Sequence, residues 1–325
     1  MKRRDFLKAS AGGLMVLGAA GCLAPAVEEA PASNRAALPK RPYGKTGENL
    51  SIIGFSGLTA ARIDQDRTNR LVAWAVERGC NFFEVAAAYG DAEGKLGTAL
   101  EPYRKDVFLS TKTKARDAEG AKAEFERSLA RLRTDHLDLY HLHCLQDVEA
   151  DVKAVFAKGG AWEFIGQAKK DGRIRHVAFS AHTEETALAA MDHYDFDSFL
   201  LPINPAAWFK AGFGPKVLAK AKAKGVQPMA IKPLARQAWS RPRKERKDVP
   251  FGWMWYQPVS DEEERDLSLR WALGHPITAV MPPHDETLWR KAVTCAMDYR
   301  PIDDEGLAKL KALAGTLNPL FPRNS

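Results

Sequence analysis

The chain has 325 residues, 45% hydrophobic and 27% charged, with a formal net charge of +7. That balance excludes an intrinsically disordered chain and leaves apolar material for a full core. Lys and Arg are interleaved with acids, as in residues 121–133, whereas a nucleic-acid footprint gathers its basic residues on one element; the charge is that of a solvated basic surface, and no nucleic-acid partner is expected.

In chain order the first feature is a leader. Lys2, Arg3 and Arg4 are followed by Asp5-Phe6-Leu7-Lys8 and then by a small-residue apolar run over 9–20, a run shorter than the roughly 20 residues of a membrane span. It resembles a twin-arginine export signal. That likeness implies the twin-arginine translocase as a partner during export, and a location in the periplasm or on the outer side of the cytoplasmic membrane. Gly21-Cys22 offers a lipid-anchor site, although Ala19 stands where lipoprotein signals usually carry Leu. Residues 23–37, with Pro25 and Pro31 and no periodicity, read as a tether. The chain therefore divides into signal and tether, 1–37, and one domain, 38–325. Cys22, Cys80, Cys144 and Cys295 show no paired spacing, so no metal site is signalled, and the three beyond the leader cannot form a complete disulfide framework.

Residues 38–47 carry the turn residues of a β-hairpin, and 50–55 follow as a short strand. Strand-like runs at 81–85, 107–110, 137–142, 176–180, 198–203, 227–231 and 277–281 then alternate with helical patterns that include 68–78, 121–132, 161–170, 184–193 and 261–273. Repeated strand–helix–strand units imply parallel pairing through right-handed crossovers. Eight strands favour the α/β class in its (β/α)8 TIM-barrel form over an open sheet. Residues 235–260, with Trp239, Trp253, Trp255 and Tyr256, break the rhythm and read as a long loop after the seventh strand, on the face where barrels build active sites.

No GxGxxG follows the first strand, so a dinucleotide would have to be held in some other way. Polar residues sit instead at the C-terminal strand ends: Glu84, with Tyr89 five positions on, then Lys112, then His143. In a barrel these ends converge. A phenol with an ordinary pKa near 10 needs a neighbouring cation to act as a base near neutrality. Lys112 is the candidate cation, Glu84 its counter-ion, and His143 a hydrogen-bond donor to a substrate oxygen that gains charge. His141 and Lys114 are alternative inward partners. Taken singly, a strand-end Tyr is more often packing and a Lys–Glu pair more often structural; placement after consecutive strands is what raises the set.

Asn81-Phe82-Phe83-Glu84-Val85-Ala86-Ala87-Ala88-Tyr89-Gly90-Asp91-Ala92-Glu93, then Leu96-Gly97-Thr98-Ala99-Leu100, resembles the signature of the aldo/keto reductase superfamily. Residues 137–143 resemble its strand ending in a catalytic histidine, and 174–180 its strand ending at a nicotinamide-contacting serine. The resemblance implies an NADP-dependent oxidoreductase, with NAD as the second choice, that interconverts a small carbonyl and its alcohol. Tyr89 would be the acid/base, Lys112 its activator and His143 the substrate orienter, with Glu84 where the family usually has Asp. Ser180, Asn204, Lys232, Leu234 and Arg290 are the implied cofactor contacts, Lys232 as a charge for the pyrophosphate and Arg290 for the 2′-phosphate.

The chain departs from the family pattern at Ala181 for Asn, Leu200 for Gln, Ile231 for a stacking aromatic, Lys232-Pro233-Leu234 for Ser-Pro-Leu, and Met281-Pro282-Pro283-His284-Asp285 in the phosphate loop. Two rivals stand beside the enzyme reading. One is an exported barrel of the same family that binds a ligand without turnover. The other is a hydrolase using Glu84, for which a second acid at a strand end is wanting, since Asp147 lies in a loop.

Overall fold

The computed structural model describes residues 37–321; the leader, Arg3, Arg4, Cys22 and nearly all of the tether lie outside the described residues. The chain enters through a hairpin, β1 (Lys40–Pro42) and β2 (Asn49–Ser51), paired antiparallel with Arg41 opposite Leu50. Then follow β3 (Phe55–Ser56), α1 (Gln65–Glu77), β4 (Phe82–Glu84), α2 (Ala92–Leu100), β5 (Phe108–Thr113), α3 (Ala118–Leu132) and β6 (Leu137–Leu145). The second half comprises α4 (Ala154–Phe156), α5 (Ala161–Lys170), β7 (Ile174–Ala181), α6 (Glu184–His193), β8 (Ser198–Pro202), α7 (Pro215–Lys224), β9 (Gln227–Ile231), the small strands β10 (Ala235–Gln237) and β11 (Gln257–Pro258), α8 (Glu262–Leu273), β12 (Val280–Met281), α9 (Glu286–Met297) and α10 (Asp304–Thr316).

Eight parallel strands run in the order β12-β9-β8-β7-β6-β5-β4-β3, and a bridge between Ile53 and Val280 joins the two ends. This is the (β/α)8 barrel expected from the alternation. The expected first strand, 50–55, is divided: Leu50 and Ser51 belong to the hairpin, and the barrel strand is Phe55–Ser56. Gly54 sits between them, where a Cβ would lie 2.4 Å from Met281 Sδ.

Period-two alternation decides what faces inward. Phe82, Phe108, Leu139, Ala178 and Met229 fill the barrel, and Tyr43 from the hairpin turn closes its lower end, its hydroxyl 2.7 Å from Ser198 Oγ. Two residues further along the same strands, on the same side, come Glu84, Ser110, His141, Ser180 and Ile231; two further again on β5 and β6 come Lys112 and His143. The barrel is thus apolar below and polar at the mouth. Outward positions such as Phe83, Leu109, Tyr140, Phe179 and Phe199 pack in the layer beneath the helices. Those helices start at side-chain caps, with Asp64, Asp117, Thr183, Asp261, Asp285 and Asp303 each accepting a backbone N–H in the first turn, a contribution of about 1 kcal/mol per cap.

The segment 235–260 has more structure than a bare loop. β10 and β11 pair antiparallel, Trp239 Nε1 and Arg246 Nη1 both donate to the Met254 carbonyl, and Met254 and Tyr256 form a small core with Ala235 and Leu288. No helix among the described residues is long and apolar enough to cross a membrane.

Candidate active site

The mouth holds a cavity of about 250 Å³ whose walls include Glu84, Tyr89, Lys112, His143 and Ser180. The strand-end set expected from sequence is therefore brought together. Lys112 is 2% exposed, its Nζ in direct ion-pair contact with Glu84 Oε1 and donating to the Val85 carbonyl at 2.7 Å. Burial, then the charge of Lys232, push the Lys112 ammonium well below its ordinary value; the contact with Glu84 is the one that favours its charged form.

Tyr89 lies in the turn after β4, with Lys112 Nζ 4.9 Å from its ring centre and the His143 ring edge-on at 5.7 Å between centroids. Burial, and secondarily the charge of Cys144, raise the Tyr89 phenol well above its usual value. This differs from the expectation that Lys112 favours the phenolate. The ammonium is turned onto Glu84 and the Val85 carbonyl, so desolvation governs and Tyr89 stands as a neutral proton donor. His143 is held neutral by burial and by the charges of Lys112 and Lys114. Its Nδ1 is buried without a hydrogen-bond partner. His141, fully buried below it with Nδ1 3.4 Å from the Thr111 carbonyl, belongs to the barrel interior.

The expected cofactor residues divide. Ser180 and Lys232 line the cavity. Asn204 and Leu234 are fully buried and outside its walls, Asn204 Oδ1 accepting the Ala207 N–H. Arg290 pairs with Glu286 at 3.0 Å and lies over the Trp74 ring at 4.4 Å. A neighbouring cavity of about 370 Å³, sharing His284 with the first, is lined by Arg62, Arg67 and Arg243 among others; Arg62 lies over the Trp253 ring at 3.6 Å. Those three arginines were not singled out from sequence, because nothing in their local pattern shows that the first and seventh strand loops meet.

His182, Cys144 and the lip residue Trp255 complete the surroundings. His182 Nε2 is 2.9 Å from Lys232 Nζ and its Nδ1 3.0 Å from Cys144 Sγ. Cys144 has φ +61° at the irregularity in the β6–β7 ladder, and its N–H donates to Ser180 Oγ at 2.7 Å. The one legible signal for His182 is its position directly after the Ser180-Ala181 strand end. The hydrolase reading gains no second acid: Glu84 is the sole carboxylate among the described residues lining the cavity, and Asp147 accepts the Ala150 N–H as a helix cap.

The aldo/keto reductase family profile matches residues 52–286. The chain belongs to the aldo/keto reductase family. An aldo-keto reductase of Mycolicibacterium paratuberculosis is 34% identical over 141 residues, 42% of this chain and 48% of that one. A D-galacturonate reductase of Fragaria ananassa is 24% identical over 267 residues, 75% of this chain and 81% of the other. The first of these matches spans about half the relative's length. Among solved structures, the holo form of an aldo-keto reductase of Bacillus halodurans superposes with a TM-score of 0.66 at 21% identity, over 87% of this chain and 99% of that one. An aldo/keto reductase of Brucella melitensis gives 0.63 at 17%, over 86% and 100%. The likenesses to solved structures show the fold, and the strand ends place Glu84, Tyr89, Lys112 and His143 around one cavity.

Proposed function

We propose that this aldo/keto reductase is a nicotinamide-dependent oxidoreductase that reduces a small carbonyl or oxidises the matching alcohol, with Tyr89 as proton donor and acceptor. The observation that carries this is the convergence of Tyr89, the Lys112–Glu84 pair and His143 on one cavity wall. The residues present fit the nicotinamide end of the cofactor: Leu200, Ile231 and Met281 give an apolar wall for a flat ring, and the Ser180 hydroxyl keeps its own proton free to donate. Bound there, the cofactor supplies or accepts the hydride.

The chain's own residues supply the rest. The buried Tyr89 phenol gives its proton to the carbonyl oxygen as that oxygen gains charge, a contribution of about 10² to 10⁴ in rate. His143, neutral, directs a ring N–H at the same oxygen and so fixes the carbonyl's orientation. Lys112 holds a positive charge beside the phenol as the proton leaves, and Glu84 keeps that charge in place. The apolar wall keeps water from the reacting carbon. For the phosphates the neighbouring cavity offers Arg62 and Arg243, whereas Arg67 and Arg290 both pair with Glu286; this favours NADP with the 2′-phosphate beside Arg62 and Arg243.

The test is titration of purified protein with NADPH and NADH, followed by fluorescence, and then nicotinamide oxidation with a panel of small aldehydes. Tight NADPH binding with turnover supports the reading. Binding of carbonyls without either nicotinamide would support the rival, a barrel that has kept its proton set but lost turnover, which the absence of a polar carboxamide partner at Ala181 and Leu200 favours. Export through the twin-arginine route, on Arg3 and Arg4, is part of the same proposal, as is carriage of the folded barrel with its cofactor. Replacing both arginines by Lys should retain the protein in the cytoplasmic fraction, and continued export would remove that claim.

A further inference from the structure

Lys232 follows β9 in the left-handed backbone region, φ +58°, which a non-glycine residue keeps only where its surroundings hold it. The turn is closed by the Ala235 N–H donating to the Lys232 carbonyl at 3.0 Å, with Leu234 fully buried beneath. The side chain is thereby sent across the cavity wall. Its Nζ lies 2.9 Å from His182 Nε2, and 5.3 and 5.7 Å from the ring centres of Trp255 and Phe321. Among the described residues no carboxylate pairs with it. The titratable groups facing it are His182 and Cys144 at the ends of β7 and β6, Lys112 on β5, and His284 beyond β12. Burial pushes the Lys232 amine down to about 7, with Cys144 working in the opposite direction. A phosphate-binding lysine needs its charge; this one sits where the charge is disfavoured, between aromatic faces and an imidazole that burial holds down at about 3.

We infer that Lys232, held over the cavity by its strained turn and hydrogen-bonded to His182, is an amine nucleophile that condenses with an aldehyde or ketone in this cavity to form an imine. A desolvated lysine in an apolar pocket is the ordinary way to obtain such a nucleophile near neutrality. The Nζ lone pair attacks the carbonyl carbon, the C–N bond forms, and the C=O π pair moves onto oxygen, which takes a proton from the Tyr89 phenol. Nitrogen releases one proton to His182 Nε2, which stands 2.9 Å from it. The hydroxyl then takes that proton back from His182 and leaves as water while the nitrogen lone pair forms C=N, and the remaining amine hydrogen passes to the Tyr89 phenolate, restoring both groups. Nothing is oxidised or reduced. The imine gives this cavity a second chemistry on the same class of molecule, independent of hydride transfer.

The test uses purified protein without nicotinamide, at pH 7, with propionaldehyde as probe and cyanoborohydride to reduce any imine to a stable secondary amine; labelled lysines are mapped by peptide mass spectrometry over time. An amine of pKa near 7 is about half neutral at that pH, whereas an ordinary lysine near 10.4 is neutral to less than about one part in a thousand. Lys232 should therefore be labelled at least ten-fold faster than any exposed lysine, with a rate that falls as pH drops below 7, and the preference should vanish in protein unfolded by urea. Labelling of Lys232 no faster than that of exposed lysines, or a preference that survives unfolding, overturns the inference. Because no nicotinamide is present, failure here leaves the oxidoreductase reading standing, and failure of that reading leaves this result interpretable.

Discussion

Lys112 and Glu84 illustrate how far a single pair can be read. Removing one partner of a buried pair strands the other's charge, at a cost of about 3–5 kcal/mol, whereas replacing both by apolar groups is often nearly neutral. Lys112→Met should therefore lower thermal stability strongly, and the double variant Lys112→Met, Glu84→Met should recover most of that loss while remaining inactive. A double variant no more stable than the single one would show that the pair is not the coupled unit the geometry describes. Tyr89 yields a pH prediction whose sign follows from its raised pKa. The acid form persists through neutral pH, so carbonyl reduction should be flat in rate up to about pH 9, while alcohol oxidation, which needs the phenolate, should climb with pH; steady-state profiles in both directions decide it. Glu84, Lys112 and His143 were legible because strand alternation and strand ends are local properties of sequence. The neutral state of Tyr89 was not, since it depends on where Lys112 Nζ points. Nor were His182 and Cys144, whose contact joins residues 38 positions apart.

At the scale of elements, the helices readable in sequence were those with a clear apolar stripe. α5 and α6 fall on their expected bounds, and α1 buries Thr68, Leu71, Val72 and Ala75 at helical spacing. α2 went unnamed because Gly94 and Gly97 interrupt it, and because it buries Glu93, whose Oε1 accepts the Thr111 hydroxyl at 2.7 Å. Gly97 has a tertiary reason: a Cβ there would lie 2.2 Å from the Arg131 carbonyl oxygen and 2.8 Å from Leu132 Cα, both backbone atoms of the last turn of α3. Gly97→Ala should thus destabilise by about 1–3 kcal/mol despite the better helix propensity of Ala. A melting temperature equal to or above wild type would contradict the α2–α3 contact. The 235–260 segment was legible as a break in the alternation, but its β10–β11 pairing was not, because the partners are short and separated by residues with no strand pattern.

The whole molecule carries an unusual load of buried bases. His141, His143, His182, His275 and His284 are all held below the ordinary imidazole value by burial. Unfolded, each takes a proton near pH 6.5; folded, His284 does so only at about 4 and His182 at about 3. Below pH 6.5 the unfolded chain therefore binds more protons than the folded one, and stability falls with pH by up to about 1.4 kcal/mol per group per pH unit. Calorimetry from pH 7 to pH 5 should show a steadily falling melting temperature with uptake of several protons on unfolding; a flat profile would mean these imidazoles are already charged in the fold. The barrel itself was the most legible level, since eight alternations constrain topology more tightly than any one element constrains its own bounds.

On the proposed mechanism the Tyr89 phenol delivers the proton during hydride transfer at this cavity. The direct measurement is rapid mixing of NADPH-loaded protein with an aldehyde, following a single turnover of nicotinamide oxidation in wild type and in Tyr89→Phe. The variant should bind NADPH as wild type does and transfer hydride at least about 10²-fold more slowly, the lower bound of general acid catalysis. Transfer within a few-fold of wild type would contradict it.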